Sequence, residues 1–184
     1  MKKLIALVLA LAMCLCFTGC GESLSQMGQI MGDAMDSVQR PNQEKTFTKG
    51  GVTMTLTTSF LDFTETDKNT ADYTFVYASD SIGLLCVEED KQQLFSQFDE
   101  MDLQGYALLI AQLYSLDTEP EQRDGLWTFT YENTVEEQAY TYRCTFFETD
   151  GSFWNIQSYT NTADFAANDA VMWKYVTSAT FSEN

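Results

Sequence analysis

From about Thr46 onward, apolar and polar side chains alternate with a period of two. Val52, Met54 and Leu56 alternate with Thr53, Thr55 and Thr57, and Tyr73, Phe75 and Tyr77 with Thr74, Val76 and Ala78. Further on, Trp127, Phe129 and Tyr131 alternate with Thr128 and Thr130. Tyr140, Tyr142, Cys144 and Phe146 do the same with Thr141, Arg143 and Thr145. Successive strand residues point to opposite faces, so each run has one apolar and one threonine-rich face. That predicts an antiparallel sheet covered on one side. Ser79-Asp80-Ser81 reads as the turn joining strands 73–78 and 82–87. Asp150-Gly151 is a hairpin signal between strands 140–148 and 153–159.

Where the period lengthens, helices are expected. Asp90 with Gln93 three residues later has the form of a capping box, and Leu94, Phe95 and Phe98 would be buried. Leu103, Tyr106, Ala107, Ile110 and Leu113 make a second apolar stripe. Near the end, Asn161 or Thr162 is placed to cap a helix with Phe165, Met172, Tyr175 and Val176 on its inner face. Asp164 in its first turn suits the helix dipole. A short strand follows around Ala179-Thr180-Phe181, and segment 117–124, with Pro120, reads as a polar loop. The expected body is one α+β domain over 46–184: a central twisted antiparallel sheet of six to eight strands with flanking helices.

The first 45 residues are of another kind. Lys2 and Lys3 precede an apolar run of about 14 residues, 4–17, shorter than the roughly 20 a spanning helix needs. A leader of this shape is a secretion signal. It ends in Phe17-Thr18-Gly19-Cys20, which resembles the lipobox of bacterial lipoproteins, although Phe17 departs from the usual Leu. The resemblance implies a signal peptide over 1–19 and a lipid anchor on Cys20. The mature protein would then sit at the cell membrane, on its extracytoplasmic face. Segment 20–45 then reads as a tether. Leu24, Met27, Ile30, Met31, Met35 and Val38 recur at helical spacing within it, and Arg40-Pro41 would end a helix. Gly28 and Gly32 weaken that helix. A tether with transient helix and an amphipathic docking helix both fit the pattern.

Charge narrows the range of partners. The 184-residue chain has 10 Lys and Arg against 27 Asp and Glu, a formal charge of −17. Loss of Lys2 and Lys3 with the leader takes it to about −19. Nucleic acid is excluded as a partner, because phosphate binding needs clustered basic residues. Anionic head groups are repelled as well, so membrane attachment rests on the lipid. The chain has no histidine, so no Ser-His-Asp, Cys-His or imidazole–zinc site can form. Cys86 and Cys144 are the cysteines of the body. They either form a disulfide, if their Cα atoms lie within about 7 Å, or pack as two buried thiols. Glu88-Glu89-Asp90 and Asp99-Glu100-Asp102 bracket the first helix, but the Asp-x-Asp-x-Asp-Gly calcium pattern is absent. They read as solvated helix ends, and no metal ligands or cofactor are assigned.

The order of elements carries a resemblance. A Gly-Val-Thr strand (51–53) leads to a hairpin and paired helices. Then come Asp124-Gly125-Leu126-Trp127, a Tyr-rich strand, Phe153-Trp154-Asn155-Ile156, a helix, and a closing Val-Thr-Ser-Ala-Thr-Phe (176–181). Over 46–181 this is similar to the PsbP-like group, which takes its name from an extrinsic photosystem protein and includes many bacterial lipoproteins. The resemblance implies an α/β/α sandwich and accessory or binding roles, with no catalytic residues to carry over. Three tryptophans and nine tyrosines are more than a small core needs, and some would suit a groove for a glycan, peptide or protein. The expected function is therefore a lipid-anchored, non-catalytic module that docks a partner protein or ligand near the membrane. Two alternatives make distinct demands. A carboxylate-dependent hydrolase needs two carboxylates of raised pKa in one pocket, and a structural subunit of an envelope complex needs a large exposed apolar patch.

Overall fold

A computed structural model describes residues 43–64, 70 and 73–182. The leader, Cys20 and the segment 24–38 lie outside the described residues. The elements in chain order are β1 (Glu44–Lys49), β2 (Val52–Thr57), β3 (Leu61–Asp62), β4 (Phe75–Ala78) and β5 (Gly83–Asp90). Helices α1 (Lys91–Phe95) and α2 (Leu103–Leu113) follow. The chain continues through β6 (Glu121–Arg123), β7 (Leu126–Val135), β8 (Gln138–Glu148), β9 (Ser152–Asn161), α3 (Phe165–Thr177) and β10 (Thr180–Phe181).

Seven strands form one antiparallel sheet in the order β3-β4-β5-β9-β8-β7-β6, within the expected six to eight, while β1, β2 and β10 make a second sheet. Each central pair keeps one register along its length; Cys86 faces Ile156, Gln157 faces Cys144, and Cys144 faces Phe129. Paired residues share a face, so the register sorts the whole sheet. One face presents Phe129, Cys144, Phe146 and Phe153 to Leu94 of α1 and to Tyr106, Ala107 and Ile110 of α2. The other presents Phe75, Tyr77, Leu84, Cys86, Trp154 and Ile156 to Met54 and Leu56 of β2 and to Met172, Tyr175 and Val176 of α3. The result is a three-layered α+β body, helices on one side and the small sheet plus α3 on the other.

The threonine-rich face is not open to solvent as expected. Thr128, Thr141, Thr145, Ser158 and Thr160 are all buried, and α3 meets part of this face through Asn168 and Asp169. Asn168 Nδ2 donates to Thr160 Oγ1 at 3.0 Å, and Asp169 accepts from Arg143. Small hydroxyl side chains let the helix approach closely, and its polar residues supply part of the hydrogen bonding.

Helix starts agree with the sequence at Asp90, gain a cap at Asp102 that the sequence reading did not assign, and depart in one place. Asp90 Oδ1 accepts from Gln93 N at 2.7 Å, and Asp102 Oδ1 from Gly105 N at 2.8 Å. Each satisfies one orphan N–H of a first turn. The predicted cap of α3 is not made: a 3-10 turn over Thr162–Asp164 precedes the helix, without a side-chain cap from Asn161. The Thr162 hydroxyl instead accepts from Thr141 Oγ1 at 3.0 Å. The polar loop 117–124 is also revised, since Glu121–Arg123 forms an edge strand that turns into β7 through Asp124-Gly125, at φ 51° and 84°.

The β7–β8 hairpin turns through Glu136 and Glu137, at φ 49° and 67°. Two-residue turns with both central residues at positive φ suit Asn-Gly, and side chains such as Glu are strained there. Replacing the pair with Asn-Gly is expected to raise stability by about 1–2 kcal/mol, seen as a higher midpoint in denaturant. An unchanged midpoint would refute the strain.

Candidate functional site

Cys86 and Cys144 are both buried free thiols. Strand β9 lies between their strands, a separation of about 9.6 Å against the about 7 Å a disulfide spans. They also point to opposite faces of the sheet, one in each core. Burial pushes the Cys86 thiol up, aided by Glu88 and opposed by Thr74. Burial likewise raises Cys144, against a bond from Asn155. Thiols held protonated react slowly. A thiol reagent is therefore expected to label neither in the native protein and both in denaturant; one label blocked until reduction would point to a disulfide.

The acidic clusters divide among separate tasks. Asp90 and Asp102 cap helices, and Glu88 Oε1 accepts from Ser152 Oγ at 2.8 Å. Burial raises Glu89, whereas Lys174 lowers the exposed Glu44. In Asp62, burial is outweighed by the Thr64 hydroxyl and amide and by Lys49, and the carboxyl is lowered. Among the described residues, no three His, Cys, Asp or Glu side chains stand together as metal ligands.

The tryptophans do not line a shared groove. Trp154 is in the core, at 2% exposure. Trp127 packs beside α1 and α2, and Trp173 stacks under Arg123, whose Cζ is 4.4 Å from its ring centre. The tyrosines gather. Tyr131 of β7 stacks on Tyr142 of β8 at 4.9 Å, and Tyr142 on Tyr159 of β9 at 5.1 Å. Tyr140 meets Tyr159 edge-on at 6.0 Å. Beneath them Gln157, 1% exposed, accepts from the Tyr131 hydroxyl at 3.2 Å and donates to Tyr114 Oη at 2.9 Å. That locks both hydroxyls in place. Burial raises Tyr131 and Tyr142, with Tyr73 among the further causes for each. Burial and Tyr140 push Tyr159 up to about 12.

Four of the nine tyrosines thus meet on one face, because β7, β8 and β9 are neighbours in register, and Tyr114 joins them through Gln157. The ladder leans toward Gly83, where a Cβ would overlap the Tyr159 ring. Tyr131, Tyr140 and Tyr159 keep part of their surface in solvent. Among the described residues, the Tyr140 and Tyr159 hydroxyls make no hydrogen bond. A rigid row of part-exposed rings, with the Tyr140 and Tyr159 hydroxyls at its edge, offers apolar area and hydrogen bonding at little entropic cost. The aromatic surplus was legible in the sequence; the register that gathers the tyrosines was not.

No family model and no curated protein matches this chain. Solved structures do. The Saccharomyces cerevisiae Ran-binding protein Mog1p superposes with a TM-score of 0.50 at 12% identity, over 77% of this chain and 96% of that one. The fold is of the PsbP/Mog type. A cyanobacterial PsbP from Synechocystis matches at a TM-score of 0.46 and 12% identity, over 76% of this chain and 92% of its own. A protein from Bacteroides thetaiotaomicron matches at 0.48 and 9% identity, over 77% of this chain, which spans 50% of that protein. At such identities the PsbP/Mog likeness concerns the fold alone.

Proposed function

We propose that this chain is a lipid-anchored, extracytoplasmic binding module without catalytic chemistry of its own, which docks a partner protein through its tyrosine face. The stacked row Tyr131–Tyr142–Tyr159, pinned by Gln157, carries the reading. It is pre-ordered, amphipathic and part-exposed, as docking surfaces are. The PsbP/Mog fold supports it, since one protein built on that fold binds Ran by its printed name. Acyl chains on Cys20 would confine the domain near the membrane and raise its effective concentration for partners there. No observation favours the hydrolase, for which Glu89 is the one described carboxylate that burial raises. The envelope-subunit reading has as little support: Val171, at 40%, is the one exposed large hydrophobic among the described residues.

The test uses the lipidated full chain as bait in detergent-solubilised membranes. A stoichiometric partner retained by the parent and lost from a Tyr140→Ser, Tyr159→Ser variant supports the reading. Equal capture by both, or capture of nothing, overturns it. Mass spectrometry of the native N-terminus tests the anchor, and an unmodified Cys20 thiol would remove it.

A further inference from the structure

The tyrosine row ends at an open edge of the seven-stranded sheet. Strand β6 pairs with β7 at Leu126, Trp127 and Thr128. Residues 129–135 of β7 therefore have β8 on one side and, among the described residues, no strand on the other. The turns at both ends fix which groups face outward. Arg123 with Leu126, and Val135 with Gln138, each close a two-residue turn, and such closing pairs are hydrogen-bonded. By alternation from either turn, Phe129, Tyr131 and Asn133 bond to β8, while Thr130, Glu132 and Thr134 turn their N–H and C=O groups to the edge. Their side chains are exposed. Natural sheets blunt such edges by shortening them or by adding Lys, Pro or a bulge. Strands β3 and β10 have two residues each, and β1 carries Lys45 and Lys49. The open stretch of β7 has no Lys and no Pro, and its register with β8 is unbroken.

Ring spacing and charge point to the occupant. The centres of Tyr131, Tyr142 and Tyr159 are 4.9 and 5.1 Å apart, about the distance between neighbouring strands. The row is a column of cross-strand neighbours, and part-exposed Tyr131 is its last ring before the edge. Tyr114 of α2 meets Tyr131 at a tilt of 55° and does not continue the stack. A strand added to β7 sets a side chain beside Tyr131, where an aromatic pair is stabilising. Along this edge Glu121, Glu132, Glu136 and Glu137 are exposed, and nearby Arg123 is engaged by Asp169. A second copy of this chain fits poorly. Pairing β7 with β7 about its open middle sets Glu132 opposite Glu132, between chains that each carry −17. We propose that the open edge of β7 takes an extended segment of the partner protein as an added strand, with an aromatic residue beside Tyr131 and basic residues at the alternate positions, against Glu132. Main-chain hydrogen bonds to Thr130, Glu132 and Thr134 hold the segment, and its alternating side chains select it. This rests on the docking reading of the tyrosine row, and adds the mode of docking and the chemistry of the partner.

Calorimetric titration of the full lipidated chain in non-ionic detergent tests this with the capped peptide Lys-Tyr-Lys-Phe-Lys-Tyr-Lys. The comparison peptides carry methyl groups on the lysine backbone nitrogens, which would face β7, or Glu in place of Lys. The first peptide is expected to bind saturably, and the other two about tenfold more weakly. Thr130→Pro and Thr134→Pro each remove an outward N–H and keep the β7–β8 ladder, so each should bind the first peptide about tenfold more weakly. Glu132→Lys alters an exposed side chain; it should weaken the basic peptide and favour the Glu form, and it decides the matter if a proline variant unfolds. The proposal fails if the first peptide does not bind, if its methylated form binds as well, or if the chain dimerises through β7 instead. The membrane capture separates this proposal from the docking reading. A partner lost from the tyrosine variant but kept by Thr130→Pro and Glu132→Lys sinks edge pairing alone, and a partner kept by all of them sinks both.

Discussion

An Asp169→Ala chain is expected to lose about 3 kcal/mol of stability and to melt about 10 °C below the parent. Asp169 is the carboxylate through which α3 holds the far end of the sheet. It accepts from Arg143 of β8 and from Arg123 of β6. Its removal leaves Arg143 buried without its paired carboxylate and still repelled by Arg123, with Glu121 alone opposing. Breaking a buried pair costs about 3–5 kcal/mol. The low end applies because the Asp169 and Arg123 side chains are 28% and 31% exposed. Asp169→Asn keeps an acceptor oxygen and loses the charge, so about half the loss should remain. Urea melts of the three chains decide the matter. A loss below about 1 kcal/mol for the alanine variant would class this cluster with ordinary surface ion pairs.

Much of the fold was legible because strand and helix periods differ. Strands β7, β8 and β9 follow the alternation of Trp127, Phe129 and Tyr131 and of Tyr140, Tyr142 and Cys144. The Asp90 and Asp102 caps lie at the acidic clusters. Pairing was not legible, since alternation says that Val52–Thr57 is a strand but not which sheet it joins. Its partners β1 and β10 lie on either side of it, and β10 is more than 120 residues away in the chain. Glu121–Arg123 has no apolar alternation, so 117–124 reads as a loop, although Asp124-Gly125, at positive φ, is a pair of the same kind as Asp150-Gly151. The threonine face misled for a physical reason. Threonine suits a solvated face, but also a buried one once a helix with Asn168 and Asp169 meets its hydroxyls. The tyrosine row was half legible: composition announced surplus aromatics, while only register separates buried Trp154 from the stacked tyrosines.

Gly83→Ala is expected to cost about 2 kcal/mol and to weaken the docking proposed for the tyrosine face. Gly83 begins β5, pairs with Ala78 and Tyr159, and is buried. No positive φ requires glycine here; the requirement is space, because an added methyl would overlap the Tyr159 ring carbons and hydroxyl. The ring has little room to retreat. Tyr142 stacks on it at 5.1 Å, and Tyr140 meets it at 6.0 Å. Displacing Tyr159 therefore disturbs the ordered row, and stability and partner capture should fall together. A double-mutant cycle isolates the contact. Tyr159→Ser alone removes the ring, and Gly83→Ala added to it should then cost under about 0.5 kcal/mol, leaving a coupling of about 1.5 kcal/mol. Additive losses in the two single variants would show that the glycine serves something other than the seating of Tyr159.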